Sequence, residues 1–558
     1  MSSDLPWRKP PKRIGDERDY DCFYAQVVEN KDPSLKSRPV GVKQKSILAT
    51  CNYNARSRGV RKLMLVSEAK KACPDLVLVD GEDLTPFRDV SKRLFEYLKK
   101  YSWSGKMERL GLDEIFMDVT DIVEYNMTCM DRPPTPNSFF YLSKTDPEKG
   151  FICDMTTIAG CAIGARVRPT DWSDPYYMRL ILGSRLALHL RTKLEDDFGY
   201  TSTCGISTNK LLSKLCGGKN KPRNQTTLVA PDEAHTLDFM DGNRLRGVPG
   251  IGFKMASSIE ELMTGKKKTT EDSNSSGSTV TVGDARASPE VFPASIERVL
   301  DGTGAEKGVG SRVWALLHGV DPTEVKKTSD FPSQIGIEDT YPRLSLSTMP
   351  QITEELLKLT CSLIRRMRTD LLEHSDIEPT SNGGKWLARP RTLRLSIRSW
   401  HQMQNQSFGR SSRSSPLPGF VFDTKEAIEE IAENLVSQYL VPLLRRLNSE
   451  RGSKWNLQLI NICVANMDPG VGSDKSRVGR DIGSMFKNQE ETLKPWKIVE
   501  SDVPPRETET EPDAESETAT AEVGRGWETA GHASCPRCGC LLPTFALPAH
   551  LRFHDMGA

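Results

Sequence analysis

The alternation of apolar and polar positions divides the chain into a long patterned body and a weakly patterned tail. Over residues 14–262, strand-like and helix-like periods alternate with short connections, predicting a mixed α/β arrangement. The clearest strand is Thr392–Arg398, whose period of two buries Leu393, Leu395 and Ile397 and leaves Arg394 and Arg398 on the opposite face. Residues 266–288 are of low complexity and predict an inserted surface loop; Asp376–Lys385 is a second polar stretch. After about residue 470 the patterning fades into a charged, Thr/Glu-rich linker that runs to a compact Cys/His cluster.

The 558 residues leave room for several domains. The net charge of +1 conceals segregation: residues 386–420 carry six arginines and no acid, whereas residues 500–529 carry ten acids and two arginines. A basic body with an acidic tail suits a protein that binds a polyanion. Ten of the thirteen cysteines are scattered singly, which argues against a disulfide framework and for a reducing compartment. Met1–Lys12 lacks the apolar core of a secretory signal, and no apolar run approaches the roughly 18 residues of a membrane span. A soluble intracellular protein without a membrane partner is expected.

Two acidic motifs about ninety residues apart carry the candidate chemistry. One is Asp19-Tyr20-Asp21-Cys22-Phe23-Tyr24; the other is Glu108-Arg109-Leu110-Gly111-Leu112-Asp113-Glu114-Ile115-Phe116-Met117-Asp118. Neighbouring side chains in a strand point to opposite faces, so Asp113 and Glu114 reach one site only at a bend between two strands. With Asp19 they can surround two divalent cations, which stabilise the attacking and leaving oxygens of a phosphoryl displacement. Tyr53 and Arg56 are spaced as neighbours on one helix face, where a phenol and a guanidinium can grip phosphate oxygens; Lys221 offers a further point charge. Gly247-Val248-Pro249-Gly250-Ile251-Gly252 lies between two helical patterns, and the backbone N–H groups around Gly250 and Gly252 can hold a DNA phosphate without reading sequence.

In this order, DYDCFYAQV, CNYNARSRGV, ERLGLDEIFMD, GISTNKLLSKL, NKP and GVPGIG resemble the Y-family translesion DNA polymerases from about Asp19 to Met467. The resemblance implies an α/β multidomain right hand: palm over 1–24 and 83–235, small fingers over 25–82, and a thumb with a helix–hairpin–helix over 236–336. A little finger over 337–470 completes it; beyond it, composition predicts a disordered linker over 471–530 and the Cys/His cluster a small ββα zinc finger over 531–558. The resemblance assigns Asp19, Asp113 and Glu114 to two Mg²⁺ or Mn²⁺ ions, with the Tyr20 carbonyl as a further ligand. Tyr24 resembles the steric gate beside the sugar, next to Phe23. Tyr53, Arg56 and Lys221 match triphosphate contacts, Lys62 a basic fingers residue near the nucleotide, and Gln44 a residue over the templating base. Ala49 is smaller than the valine that accompanies such a glutamine in the family. Arg394 and Arg398 match the little finger's grip on template phosphates. The implied partners are primer–template DNA and deoxynucleoside triphosphates, and the implied location is the nucleus.

One departure concerns the residues before Asp19. The family's first carboxylate ends a buried central strand, which calls for an apolar run; here Lys12-Arg13-Ile14-Gly15-Asp16-Glu17-Arg18 stands instead. Burying such charges without good pairing costs several kcal/mol. The expectation is that an apolar strand has been lost, by mutation or through a faulty gene model. An active template-directed polymerase is the leading reading. A non-catalytic DNA- and partner-binding scaffold with a disrupted first strand is the alternative, and a nucleotidyl cyclase fits least well.

In the tail, Cys535, Cys538, His550 and His554 have the spacing of a Cys₂His₂ zinc site, and the cluster resembles a ubiquitin-binding zinc finger. Arg552 occupies the position of an acidic ubiquitin contact in that family. Ile482, Met485 and Phe486, within 481–487, have the spacing of a sliding-clamp box, with Gly479 where a glutamine is expected. A ubiquitinated sliding clamp is the partner these two features suggest.

Overall fold

A computed structural model describes residues 13–130, 134–166, 173–265, 279–301, 306–329, 331–372, 386–400, 410–449, 455–469, 532–537, 541–543 and 551. Among these, the strands in chain order are β1 (Gly15–Tyr20), β2 (Val40–Gln44), β3 (Ile47–Cys51), β4 (Val77–Asp80), β5 (Met107–Leu110) and β6 (Glu114–Asp118). There follow β7 (Ser138–Tyr141), β8 (Gly150–Cys153), β9 (Cys161–Gly164), β10 (Ser202–Ser207) and β11 (Gln225–Val229). The later strands are β12 (Gln334–Thr340), β13 (Ala388–Ser399), β14 (Ser411–Pro416), β15 (Leu457–Pro469), β16 (His532–Ser534) and β17 (Leu541–Pro543). The chain divides into two units, residues 1–470 and 471–558.

In the first unit a six-stranded mixed sheet runs β5-β6-β1-β10-β11-β9. β1 pairs antiparallel with both β6 and β10, which puts it in the sheet's interior. The polar segment before Asp19 therefore does form a strand, contrary to the loss expected from its composition. Asp16, Glu17 and Arg18 are all buried. Sheet pairing satisfies the backbone, and the side chains divide by the pleat. Ile14, Asp16, Arg18 and Tyr20 share one face, where helix Pro175–Phe198 packs close enough that a Cβ on Gly183 would meet Ile14 at 2.9 Å. There the Arg18 Nη2 donates to Asp16 Oδ2 at 2.8 Å. Arg18 Nε and Nη1 find no acceptor among the described residues. Glu17 and Asp19 occupy the other face, against helix Lys210–Gly217.

Four apolar clusters among the described residues hold the unit. One lies about this sheet and includes Ile14, Tyr20, Phe23, Leu186 and Ile206. A small one around Leu48, Ala55, Val60 and Leu76 supports the three-stranded sheet β3-β2-β4. A third joins Leu211, Leu212, Phe239, Ile259 and Val313 in a helical region. The fourth lies beneath the antiparallel sheet β12-β15-β13-β14 and includes Leu363, Leu393, Leu395, Ile397 and Ile462. Leu393, Leu395 and Ile397 are thus buried as their period predicts, while Arg394 and Arg398 remain half-buried on the other face.

The insert at 266–288 is only partly described, and its end is not a loop. Val282–Ala287 is a helix because Thr281 and Asp284 form a capping box and Val282 and Ala285, three apart, reach the third cluster. Short polar stretches hide such a helix, because two apolar positions suffice to anchor it. Asp376–Lys385 lies outside the described residues, as do the linker 471–530 and the segment 481–487. In the second unit β16 and β17 form an antiparallel hairpin, and Cys535 is buried just beyond β16. Cys538, His550, Arg552 and His554 lie outside the described residues. The ten described cysteines of the first unit are free thiols, in keeping with the scattered spacing. No described helix is long and apolar enough to cross a membrane.

Candidate active site

The register of the interior strands builds the centre of the site. Asp19 lies directly across from Glu114 in the β1–β6 ladder. Asp113 occupies the turn between β5 and β6, which Gly111 enables by adopting φ +74°, a conformation that disfavours a side chain. The Asp113 carbonyl accepts from the Tyr20 N–H at 3.0 Å, tying this turn to the end of β1. The bend expected between two strands is present, and it lets adjacent carboxylates serve one site.

Asp19, Asp113 and Glu114 line an open cleft of about 870 Å³ together with Tyr20, Phe23, Tyr24, Tyr53, Arg56, Lys62 and Lys221. That volume accommodates a small-molecule ligand of nucleotide size. Tyr24 projects from the first turn of helix Phe23–Lys31, and its ring stacks on Phe87 with centroids 4.3 Å apart. Phe23 itself is buried in the cluster about the six-stranded sheet. Asn52 caps the short helix Tyr53–Arg56 by accepting from the Ala55 N–H at 2.9 Å, and it also accepts from Val40 N–H at 3.0 Å. The cap fixes Arg56, whose guanidinium sits 4.6 Å over the Tyr53 ring while Nε donates to the Cys51 carbonyl at 3.1 Å. The phenol and guanidinium are neighbours, as their spacing predicts.

Two ammonium groups face the carboxylates: Lys221 pairs with Asp19, and Lys214 with Glu114. Asp21 is an anchor rather than a member of this group. It accepts from Thr203 Oγ1 at 2.8 Å and from the Arg223 N–H at 2.8 Å, holding the segment that carries Lys221. Burial, reinforced by Asp19 and Glu114, pushes the Asp113 carboxyl up to about 6. Burial also raises Asp19, against the opposing charge of Lys221, and raises Glu17 well above the usual carboxylate range, with Asp19 and Glu114 adding to it.

These shifts have a testable sign. Between about pH 4 and pH 6 the folded metal-free protein holds the Asp113 proton that the unfolded chain releases, so stability falls as pH rises through that window. Melting curves in chelator are expected to show Tm declining from pH 4.5 to 6.5, beyond the drift of an Asp113→Asn variant. Mn²⁺ added at pH 7 should reverse the decline, because a cation replaces the proton as the partner of the carboxylates. A chelated protein whose Tm rises across this range would contradict it.

Several residues that sequence reasoning passed over belong to the site. Arg61 lines the cleft beside Lys62. Lys214 lies four residues after Lys210 on one helix face; Lys210 reaches Glu108 at 3.1 Å while Lys214 reaches Glu114. Glu17 was legible too: two positions before Asp19 in a strand, it must share the face of Asp19. Gln44, in contrast, is not among the lining residues of the cleft. It ends β2, and its Nε2 donates to the Gly81 carbonyl at 2.9 Å. Ala49 does line the cleft.

The candidate DNA contacts lie elsewhere on the first unit. Gly250 has φ +90°, a conformation for which glycine is suited, in the turn between helices Glu233–Asp241 and Phe253–Thr264. Gly252 caps the second of these helices in extended geometry. Arg394 Nη2 donates to Gln334 Oε1 at 3.0 Å, and Arg398 to Gln458, which holds both along one face of the second sheet.

Comparison with known proteins agrees with this assembly. The impB/mucB/samB family model matches residues 18–218, and the model of that family's C-terminal domain matches residues 332–477, together more than half of the chain. The chain belongs to the impB/mucB/samB family. This is the Y-family anticipated from its motifs. The family match begins at Arg18, so the polar residues of β1 before it fall outside the matched range. Among curated relatives, DNA polymerase iota of Homo sapiens is 29% identical over 463 residues, covering 83% of this chain and 53% of that protein. DNA polymerase iota of Drosophila melanogaster is 40% identical over 257 residues, covering 44% of this chain and 31% of that protein. DNA polymerase eta of Arabidopsis thaliana is 28% identical over 381 residues, covering 65% and 51%. The chain spans about half the length of the human and mouse proteins it matches.

Proposed function

We propose that this Y-family chain is a template-directed DNA polymerase of low fidelity that inserts deoxynucleotides opposite damaged bases. The observation that carries the reading is the cleft itself. Asp19, Asp113 and Glu114 converge on one wall, and Tyr53, Arg56, Lys62 and Lys221 line the same space. The donor set is all oxygen and anionic, which suits Mg²⁺ or Mn²⁺ rather than a soft metal. Bound there, two such cations would stabilise the attacking 3′-oxygen and the departing pyrophosphate.

The chain's own residues would supply binding and positioning. Arg56 and Tyr53 would grip triphosphate oxygens, with Lys221 released from Asp19 as the phosphates arrive. The six-stranded sheet is the proposed palm, the β3-β2-β4 region the fingers, the helical region with the Gly250 turn the thumb, and the second sheet the little finger. Arg394 and Arg398 would hold template phosphates. The scaffold alternative rested on a disrupted first strand, and the placement of Asp19 opposite Glu114 in the sheet interior supports catalysis instead. For the tail we propose one Zn²⁺ on Cys535, Cys538, His550 and His554, and a ubiquitinated sliding clamp as partner, acting in the nucleus.

The test is primer extension by the full chain on undamaged and abasic templates. Metal-dependent incorporation is expected on both, and no incorporation by a folded, DNA-binding protein would sink the proposal. The gate role of Tyr24 is checked in the same assay. Its ring, braced by Phe87, would stand against a ribose 2′-hydroxyl. Tyr24→Ala should raise ribonucleotide relative to deoxynucleotide insertion by about tenfold to a hundredfold, the range a pocket wall gives. Tyr24→Phe should leave the ratio unchanged; an unchanged ratio in the alanine variant would remove the gate.

A further inference from the structure

The carboxylates that crowd together at the edge of the cleft are not the three that motif resemblance selects. One oxygen each from Glu17, Asp19 and Glu114 lies within 4.8 Å of the other two. Glu17 reaches this group from β1, two residues before Asp19 and on the same face of the strand. It is only 3% exposed, and among the described residues it makes no hydrogen bond and no ion pair. The two nearby ammonium groups are already engaged, Lys214 with Glu114 and Lys221 with Asp19. Its room comes from Gly217, where an added Cβ would sit 2.5 Å from Glu17 Oε2.

A buried carboxylate without a partner is costly, and one aimed at two further carboxylates is more so. The arrangement makes physical sense when a cation completes it. A divalent ion about 2.1–2.5 Å from each of three oxygens requires the spacing this trio has.

We propose that Glu17 is an additional ligand to the divalent cation held by Asp19 and Glu114. The inference rests on the polymerase reading of the cleft but concerns a residue outside the family's matched range. It gives this chain one more anionic donor at that cation, and so tighter metal binding before any nucleotide arrives, because ligand charge count sets affinity at oxygen sites.

The experiment is titration of the full, metal-free chain with Mn²⁺ in the absence of nucleotide, following free Mn²⁺ by electron paramagnetic resonance. Wild type is compared with Glu17→Gln, Glu17→Asp and Asp19→Asn. Glu17→Gln keeps the shape of the side chain, and Glu17→Asp keeps its charge while withdrawing the oxygens by one methylene. Both are expected to weaken the tightest Mn²⁺ site about tenfold or more, the low end of what even indirect ligand partners contribute. The Mn²⁺-induced rise in Tm should shrink in the same order, which reports on folded protein only. Wild-type affinity in Glu17→Gln alongside a loss in Asp19→Asn would overturn the ligand role and leave the polymerase reading intact. Weakening in Glu17→Gln but not in Glu17→Asp would show that charge acts without ligation, and would also overturn it. Failure of the wild type to bind Mn²⁺ would overturn this inference and the proposed metal site beneath it.

Discussion

Asp113→Ala/Glu114→Ala is expected to lower metal-dependent primer extension at least about a thousandfold, equivalent to roughly 4 kcal/mol of transition-state stabilisation. Asp113 sits in the β5–β6 turn and Glu114 at the first position of β6, both half-buried, so alanine leaves no sizeable cavity. The substitution also relieves repulsion among carboxylates, since Asp113 is held up to about 6 by burial and by its acidic neighbours. The folded state should therefore survive, and a melting curve checks that it does. Primer–template affinity should stay within about threefold, because the proposed grips at Gly250, Arg394 and Arg398 are untouched and phosphate contacts dominate such affinity. Loss of extension with retained DNA binding would tie catalysis to these carboxylates. Extension within tenfold of wild type would remove them from the mechanism.

The second large effect concerns the other face of β1. Arg18 is fully buried, pairs with Asp16 at 2.8 Å, and leaves Nε and Nη1 without acceptors among the described residues. A buried pair with unsatisfied donors is a poor source of stability, yet breaking it from one side is worse. Asp16→Val alone strands the guanidinium in the core and is expected to cost about 3–5 kcal/mol. Asp16→Val/Arg18→Met replaces both by apolar groups and should be neutral or stabilising by about 1–4 kcal/mol. The measurement is Tm, with the double variant expected at or above wild type and the single variant well below it. A double variant as unstable as Asp16→Val would show that the pair contributes what an apolar strand could not. Extension should persist in the double variant, because Asp16 and Arg18 lie on the face away from Asp19.

How far the sequence could be read depended on how local each signal is. The period-two pattern of Thr392–Arg398 named the buried Leu393, Leu395 and Ile397 correctly, because alternation is a property of the strand alone. The spacing of Tyr53 and Arg56 likewise survived, since three residues make neighbours in any helix. The helix Val282–Ala287 was not seen, because Val282 and Ala285 become an apolar face only where the third cluster meets them.

The β1 segment separates the two kinds of information most sharply. Its composition argued against an interior strand, and the sequence could not show that β6 and β10 would pair with both of its edges. Once hydrogen bonding on both sides fixes the backbone, the pleat sends Asp16 and Arg18 toward each other and sends Glu17 to the carboxylates. The residue types of the site, their order and the strand alternation were set by the chain itself. Which charges meet was decided only by packing, because Lys221 and Asp19 are brought together across some two hundred residues of chain. Electrostatic partnership depends on distance in space, and that distance exists only after the sheet has closed.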